Sequence, residues 1–197
     1  AHHGHGNDVV HRHGNAVNAE AGLPFWIVPQ MFNFRRYFPA TAQAETFRFP
    51  SANEFRSMIL LAAGYEPRGY VFYTYDPLCK PEPKLDGNTE ENLKTIRHGI
   101  GMLRKLEPFL LSGKQAKKLP VKTIKGDIRV WEFSDGNGSR RVAVVALGPG
   151  TAEAEITVGA PEQLQSVYGK TVLKNGKWLF RAENIDSDLL SYDKEMK

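Results

Sequence analysis

Apolar residues at helical spacing predict three helices in the first part of the chain. The predicted helices cover residues 8–21, 51–64 and 88–112. Ser51, with Glu54 three residues later, has the pattern of a capping box, in which each side chain accepts a hydrogen bond from the other residue's backbone N–H. In the third helix, Gly99 and Gly101 each cost roughly 1 kcal/mol relative to alanine, and their small size can allow close packing instead.

Two apolar runs between these helices have the length of β-strands. They cover residues 25–32, within "GLPFWIVPQMF", and 69–75, within "RGYVFYTYDP". Both runs are apolar on both faces, which is typical of parallel strands that are covered on each side. Trp26 lies deep in its run and is predicted to belong to the core. Because two strands cannot form a stable doubly covered sheet, they need cover from a following module or from further βα units.

From about residue 119 the pattern changes to short alternating runs. The seven strand candidates are "VKTI", "DIRVWEF", "RRVAVVAL", "EAEITV", "LQSVY", "TVL" and "KWLF". Asp135-Gly136 and Asn175-Gly176 are signals for tight hairpins. Short strands separated by such turns predict an antiparallel β-sandwich over residues 119–197. The fold class is therefore α/β (residues 1–113) followed by all-β, with the boundary inside "LLSGKQAKKLP".

Composition and charge exclude several classes of protein. The chain has 197 residues, of which 41% are hydrophobic and 24% charged, as in ordinary globular proteins. No apolar run reaches the length of a membrane span, so we expect no membrane partner. The net charge is +4, but apart from Lys114, Lys117 and Lys118 the basic residues are spread out, which argues against a nucleic-acid partner. The single cysteine, Cys79, excludes an intrachain disulfide and leaves the compartment open, secreted and periplasmic locations included.

Five of the six histidines lie near the start of the chain. They are His2, His3, His5, His11 and His13. Neutral imidazoles bind transition metals, so a self-contained metal-dependent enzyme is one interpretation. A defined metal site also needs fixed geometry and supporting groups around the ligands. Histidines interrupted by glycines are more typical of a flexible tail or a purification remnant, and we predict neither a metal nor a cofactor.

Three segments in order resemble the end of a (β/α)8-barrel glycoside hydrolase. They are "LPFWIVPQMF", "FRFPSANEFRSMILLAAGYEPRGYVFYTYDPL" and "GIGMLRKLEPFLLSG", and they look most like β-galactosidase-like and related bacterial barrels. The resemblance covers about residues 8–190. It implies that residues 25–32 are the seventh strand and residues 69–75 the eighth. The chain would then hold the last βα units of a partial TIM-type barrel, followed by a C-terminal antiparallel β-sandwich.

The resemblance also implies a carbohydrate pocket, because barrel active sites lie at the carboxyl ends of the strands. The candidate substrate-binding residues at these ends are Gln30, Phe32, Tyr73, Tyr75 and Asp76. Glutamine both donates and accepts hydrogen bonds, and tyrosine offers an aromatic face with a polar tip. Each residue also has a structural interpretation. Gln30 could close a strand end, the two tyrosines could pack under a loop, and Asp76 before Pro77 could set a turn.

Hydrolysis by this chain alone is not expected. Glycosidases need two carboxyl groups about 5–10 Å apart, and the end of the presumed seventh strand, "VPQMF", has none. We therefore predict no catalytic residue in this chain. The carboxylate pair either belongs to earlier strands outside it, or the protein is a non-catalytic relative.

Two functional hypotheses follow. In the first, the chain is the C-terminal portion of a glycoside hydrolase and acts as an enzyme only as part of a longer protein. Its partners would be a carbohydrate and the missing upstream barrel segment or another chain. In the second, the chain is a complete, non-catalytic carbohydrate-binding or interaction module. Trp131, Tyr168 and Trp178 could form a sugar-binding face, but alternating aromatic residues in a sandwich more often fill the core.

Overall fold

The computed structural model describes residues 24–31, 33, 35, 40, 48–72 and 88–192. Its α-helices are α1 (Ala52–Ala63) and α2 (Thr89–Leu110), and Pro161–Gln163 forms a short 3-10 helix. Its strands are β1 (Trp26–Ile27), β2 (Gly69–Tyr70), β3 (Lys117–Lys118), β4 (Val121–Lys125), β5 (Ile128–Ser134), β6 (Arg140–Ile156), β7 (Gln165–Ser166), β8 (Thr171–Lys174) and β9 (Lys177–Ser191). The helix predicted over residues 8–21 and the histidine-rich start lie outside the described residues.

Helix α1 begins at the capping box that the sequence predicts. The Ser51 hydroxyl accepts a hydrogen bond from the Glu54 backbone N–H at 3.3 Å, and the Glu54 carboxylate accepts one from the Ser51 N–H at 2.8 Å. The Arg48 guanidinium donates two further hydrogen bonds to the same carboxylate. The helix ends before Gly64, where an added Cβ would lie 2.3 Å from the indole of Trp131. The glycine therefore lets the end of α1 lie directly against the β module.

Helix α2 packs against α1 through a glycine. Its N-cap is Asn88, whose side chain accepts hydrogen bonds from the N–H groups of the first turn. An added Cβ at Gly99 would lie 2.4 Å from the Phe55 ring of α1, whereas at Gly101 it would meet open space. The close packing expected of these two glycines is therefore present at Gly99 and absent at Gly101.

The β module is antiparallel throughout its described strands. The central order is β3-β5-β6-β9-β7, with β4 paired to β6 and β8 paired to β9. The prediction that all strands of this module are short is wrong for β6 and β9. Strand β6 joins two predicted strands into one of 17 residues, with an irregularity in its pairing between Leu147 and Thr151. Strand β9 runs for 15 residues and continues through polar sequence that showed no alternation, because its buried polar side chains have partners on other elements.

The two predicted hairpins differ in outcome. Asn175 and Gly176 form the whole connection between β8 and β9 with φ values of 50° and 72°, as a type I′ turn requires. The connection at Asp135 is longer, spanning residues 135–139 between β5 and β6. The Asp135 carboxylate accepts hydrogen bonds from the backbone N–H groups of Asn137 (2.8 Å) and Ser139 (3.0 Å), and the Asp135 N–H donates to the Ser139 carbonyl at 3.4 Å.

Strand β6 separates two hydrophobic cores. Val142 and Val144 belong to the core inside the β module, whereas Ala143 and Val145 belong to the core between the β module and the helices. Ile156, at the far end of β6, also belongs to the inner core, so the two halves of the strand contribute to the same interior. The antiparallel pairing that the sequence predicts is confirmed for the described strands, which belong to one hydrogen-bonded sheet, whereas the sandwich stays a prediction.

The core between helices and sheet crosses the predicted boundary between the two parts of the chain. It combines Phe55 and Ile59 of α1 with Leu106 of α2, and with Trp131 and Leu189 of the β module. The division at residues 113–119 stays a prediction about domains. In the described part of the chain, the α/β half and the β module share one interior.

None of the helices in the described residues is both long and apolar enough to cross a membrane.

The two glycines of α2 provide a matched test of the helix packing. We expect Gly99→Ala to lower the free energy of unfolding by about 1–3 kcal/mol, because the new methyl group would overlap the Phe55 ring. Gly101→Ala should raise it by about 1 kcal/mol, because alanine favours the helix and meets no neighbour there. Urea unfolding followed by circular dichroism measures both, and equal effects would contradict the close packing at Gly99.

Candidate functional site

The carboxyl ends of β1 and β2 lie side by side. The two strands pair in parallel, with Trp26 opposite Gly69 and Ile27 opposite Tyr70. The ladder continues through the N–H of Val71, which donates to the carbonyl of Ile27 at 2.8 Å. These strands correspond to the predicted runs 25–32 and 69–75, and their parallel pairing agrees with the resemblance. The described parts are shorter than predicted, with two residues in each strand.

The two faces of this strand pair differ sharply in exposure. Phe25 and Ile27 are buried against Ala62 of α1. Trp26 points the other way and is 62% exposed, so its prediction as a core residue is wrong. The reason is strand alternation, which gives Trp26 the face opposite to Ile27. Its indole lies over Gly69, where an added Cβ would be 2.3 Å from the ring.

Of the predicted pocket residues, Gln30 is the one within the described part of the chain. It lies three residues beyond the end of β1, is half-buried and makes polar contacts. Phe32, Tyr73, Tyr75 and Asp76 lie outside the described residues, so whether they meet Gln30 stays a prediction.

A buried polar cluster, which sequence reasoning missed, joins α1 to β9. Its members are Asn53, Arg56, Ser57, Lys170, Asp186 and Ser187, and we refer to them as the Arg56 cluster. The Arg56 guanidinium is 2.5 Å from Oδ1 of Asp186 and donates to the hydroxyl and carbonyl of Ser187, both at 3.1 Å. Asn53 and Lys170 donate to Oδ2 of Asp186 at 3.3 and 2.8 Å. Arg56 is 4% exposed and Asp186 2%, so this ion pair is almost free of solvent.

A second buried carboxylate, Asp188, shapes the loop that covers the Arg56 cluster. Its Oδ1 accepts a hydrogen bond from the N–H of Tyr168 at 2.9 Å, and its Oδ2 accepts from the N–H of Lys170 at 2.9 Å and the hydroxyl of Ser166 at 2.6 Å. The hydroxyl of Thr171 also donates to Oδ2. The loop is thereby folded so that the Tyr168 ring lies 4.1 Å from the Arg56 guanidinium carbon, in a cation–π contact.

The carboxylates of Asp186 and Asp188 stabilise the fold and are not placed for acid–base catalysis. All four oxygens of Asp186 and Asp188 accept hydrogen bonds from the protein. A glycosidase pair instead presents its carboxyl groups to the substrate. Within the described ranges there is also no group of three residues able to hold a metal ion. One sequence signal pointed to the cluster: Arg56 and Ser57 interrupt the apolar face of α1 and so require polar partners.

His98 of α2 lies at the exposed edge of this cluster. Its ring contacts the Tyr168 ring edge to face, with 5.5 Å between the centroids. Partial burial lowers the pKa of His98, and the positive charges of Arg56 and Lys105 lower it further. The neutral imidazole is therefore the form that suits the fold.

The β module offers no aromatic surface for a sugar among its described residues. Trp131 and Trp178 are 3% and 5% exposed, which agrees with their interpretation as core residues. Tyr168 is half-buried and covers Arg56. An open groove of about 350 Å³ is lined by Pro120, Val121, Lys122, Glu155, Thr157 and Lys177. It contains no aromatic ring, and both of its lysines are paired with Glu155.

Comparisons with known proteins give a similarity to glycoside hydrolases. No family model and no curated protein matches the sequence. Among solved structures, AmyP in complex with maltose is similar over 70% of this chain, at 10% identity and a TM-score of 0.45. The alpha-amylases of Anoxybacillus and of H. orenii are each similar over 72% of it, at 13% and 14% identity and TM-scores of 0.40.

The chain spans about a third of the length of these structures, 34% of the first two and 38% of the third. The similar structures are alpha-amylase-type glycoside hydrolases and are not specifically β-galactosidase-like. At these TM-scores the function has to be argued from this chain's own residues.

Trp26 can be checked by collisional quenching. Iodide should quench the emission of Trp26, because its indole is 62% exposed while Trp131 and Trp178 are buried. We expect Trp26→Phe to remove the quenchable component and leave the protected emission of the other two tryptophans. An unchanged quenchable fraction in this variant would contradict the exposure of Trp26.

His98 gives a pH-dependent prediction. Nuclear magnetic resonance titration should give His98 a pKa below the usual 6.5, and Lys105→Gln should raise it by removing one repulsive charge. Because the folded pKa is depressed, the unfolded chain binds the proton more tightly. The contribution of neutral His98 to the free energy of unfolding is therefore fully present above pH 6.5, and it is lost as the pH falls toward the pKa of the folded state.

The control for this titration is His98→Gln. The variant lacks the His98 resonance and so identifies it, and it should also lose the fall in melting temperature that protonation of His98 causes. A His98 pKa at or above 6.5 would contradict the surroundings described for the ring.

Proposed function

We propose that this chain is the C-terminal part of a glycoside hydrolase, or of a close non-catalytic relative. In this proposal the carboxyl ends of β1 and β2 form one wall of a carbohydrate pocket. The antiparallel β module is a structural domain that supports the helices. The catalytic carboxylate pair belongs to barrel strands outside this chain.

The observation that carries the proposal is the exposed apolar face of the β1–β2 pair. Trp26, Val28 and Val71 are all about half exposed or more, whereas the opposite face is buried under α1. Parallel sheets have both faces covered. Further parallel strands that close a barrel would cover this face, and the packing of α1 on the opposite face supports its role as an outer barrel helix.

Alternation connects this face to the predicted pocket residues. Gln30 lies beyond the end of β1 and has the same parity in the sequence as Trp26, and Phe32 continues that parity. In the second run, Tyr73 and Tyr75 have the parity of Val71. If both strands continue, these side chains lie on the inner face at the carboxyl end, which is where barrels bind their substrates.

The exposure of Trp26 also favours a second candidate function. If the chain is complete, the Trp26 indole stays exposed to solvent. An aromatic ring with a polar N–H is suited to binding the apolar face of a sugar. The protein would then be a non-catalytic carbohydrate-binding module that uses the β1–β2 face. Its described β module would not take part, because both of its tryptophans are buried.

The length of the native protein separates the two candidates. We expect mass spectrometry of the protein from its source cells to find a product longer by roughly 200 residues or more, because a complete barrel takes about 250 residues. In that native product, Trp26 should be protected from iodide, since the missing strands cover it. The isolated 197-residue chain is the control, in which Trp26 should be quenched.

A native product of about 22.1 kDa with Trp26 open to iodide would overturn the proposed function. Function would then have to be sought as carbohydrate binding on the exposed face. A longer product in which Trp26 is still quenched would show that the added residues do not cover the strand pair, and this too would contradict a closed barrel.

A further inference from the structure

The Arg56 cluster holds the end of α1 that lies near the carboxyl ends of the strands. Helix α1 follows β1 and precedes β2 in the chain, and the two strands are parallel. The helix therefore runs back along the strand pair, with its first turns toward the strands' carboxyl ends. Asn53, Arg56 and Ser57 all lie in these first turns, and all three donate hydrogen bonds to Asp186 or Ser187 of β9.

The same helix holds β2 through direct contacts. The Tyr70 hydroxyl donates a hydrogen bond to the carbonyl of Ile59, three residues after Arg56, at 3.2 Å. Burial raises the pKa of Tyr70, so this hydroxyl stays a donor. Phe72 packs between Phe55 of α1 and Tyr70, with ring centroids 6.1 and 6.4 Å apart. A shift of α1 would therefore carry β2 with it, and with β2 its hydrogen-bonded neighbour β1.

We propose that Arg56 is a positioning residue: its buried contacts with β9 fix α1, and α1 in turn fixes the β1–β2 pair. Through Arg56 and α1, the β module therefore determines the position of the carboxyl ends of β1 and β2, beside Gln30. The link between Arg56 and the strand pair stands on the contacts above. Its consequence for carbohydrate binding rests on the proposed function.

The chemistry of the cluster suits such a role. A guanidinium has a planar set of donors, and here it is bound from one side by Asp186 and Ser187 and covered by the Tyr168 ring. Removing one partner of a buried ion pair leaves the other charge uncompensated. The bound orientation of α1 is therefore strongly preferred over a shifted one that would separate Arg56 from Asp186.

Hydrogen exchange measured residue by residue on the whole 197-residue chain tests the proposal. The reporting amides are those of Arg68 and Val71, which donate to the carbonyls of Phe25 and Ile27 and so form the β1–β2 ladder. Arg56→Met should speed the exchange of these two amides by roughly tenfold or more, because local opening of the strand pair becomes easier. Arg56→Lys keeps the charge without the planar donors and should fall between Arg56→Met and the parent chain.

A second buried arginine provides the matched control. Arg141 is also buried, and its guanidinium lies 4.7 Å from the Phe109 ring of α2, but it does not belong to the Arg56 cluster. Arg141→Met should destabilise the protein and leave the two ladder amides close to their parent rates. If Arg56→Met speeds exchange within α1 and leaves Arg68 and Val71 unchanged, Arg56 is merely structural and the proposal is overturned.

Tyr168→Leu keeps the test decisive if Arg56→Met fails to fold. It removes the ring over the guanidinium while the ion pair with Asp186 stays, so the ladder amides should speed up by a smaller factor. Faster exchange in α1 without any change at Arg68 and Val71 would again overturn the proposal.

Carbohydrate binding by the native protein is measured separately on a glycan panel. A weaker affinity in Arg56→Met than in Arg141→Met supports positioning of a pocket. Absence of binding in the parent protein would count against the proposed function alone, because the exchange rates would still decide the role of Arg56.

Discussion

The contact between Arg56 and Asp186 is the constraint on which the arrangement of the two halves depends. A buried guanidinium must have its charge and its donors satisfied, and here its partners among the described residues come from β9 and the loop before β8. This requirement fixes how α1 is rotated about its own axis and where it lies along that axis on the sheet. The apolar core beneath the helix could be satisfied by several nearby placements, whereas a shift that separates Arg56 from Asp186 would leave each buried charge without the other.

The β module contributes side chains to two hydrophobic cores, its own inner core and the core between the sheet and the helices. Neighbouring residues of β6, such as Val144 and Val145, face the inner core and the helices in turn. Gly64 and Gly99 then bring the helices close, one to Trp131 and the other to Phe55. Trp131 is buried in the core with the helices and Trp178 in the inner core, so the described outer surface of the module carries charged pairs such as Lys122 and Glu155. Such a surface suits a supporting role better than sugar recognition.

The open face of the β1–β2 pair is the surface on which the proposed function depends. It is the apolar side that α1 does not cover, it carries Trp26, and it leads along the strand to Gln30. In the proposed barrel, further parallel strands would cover this face.

The sequence by itself determined the features that depend on near neighbours. The capping box at Ser51 and the I′ turn at Asn175 follow from local hydrogen bonds, and the two apolar runs that contain β1 and β2 follow from local periodicity. Tertiary structure decided the exposure of Trp26 and the course of β9 through Asp186. Burial of a polar residue depends on its partner, and Arg56 is 130 residues away from Asp186. Strand alternation fixes only which residues share a face, and whether that face is covered is settled by what packs against it.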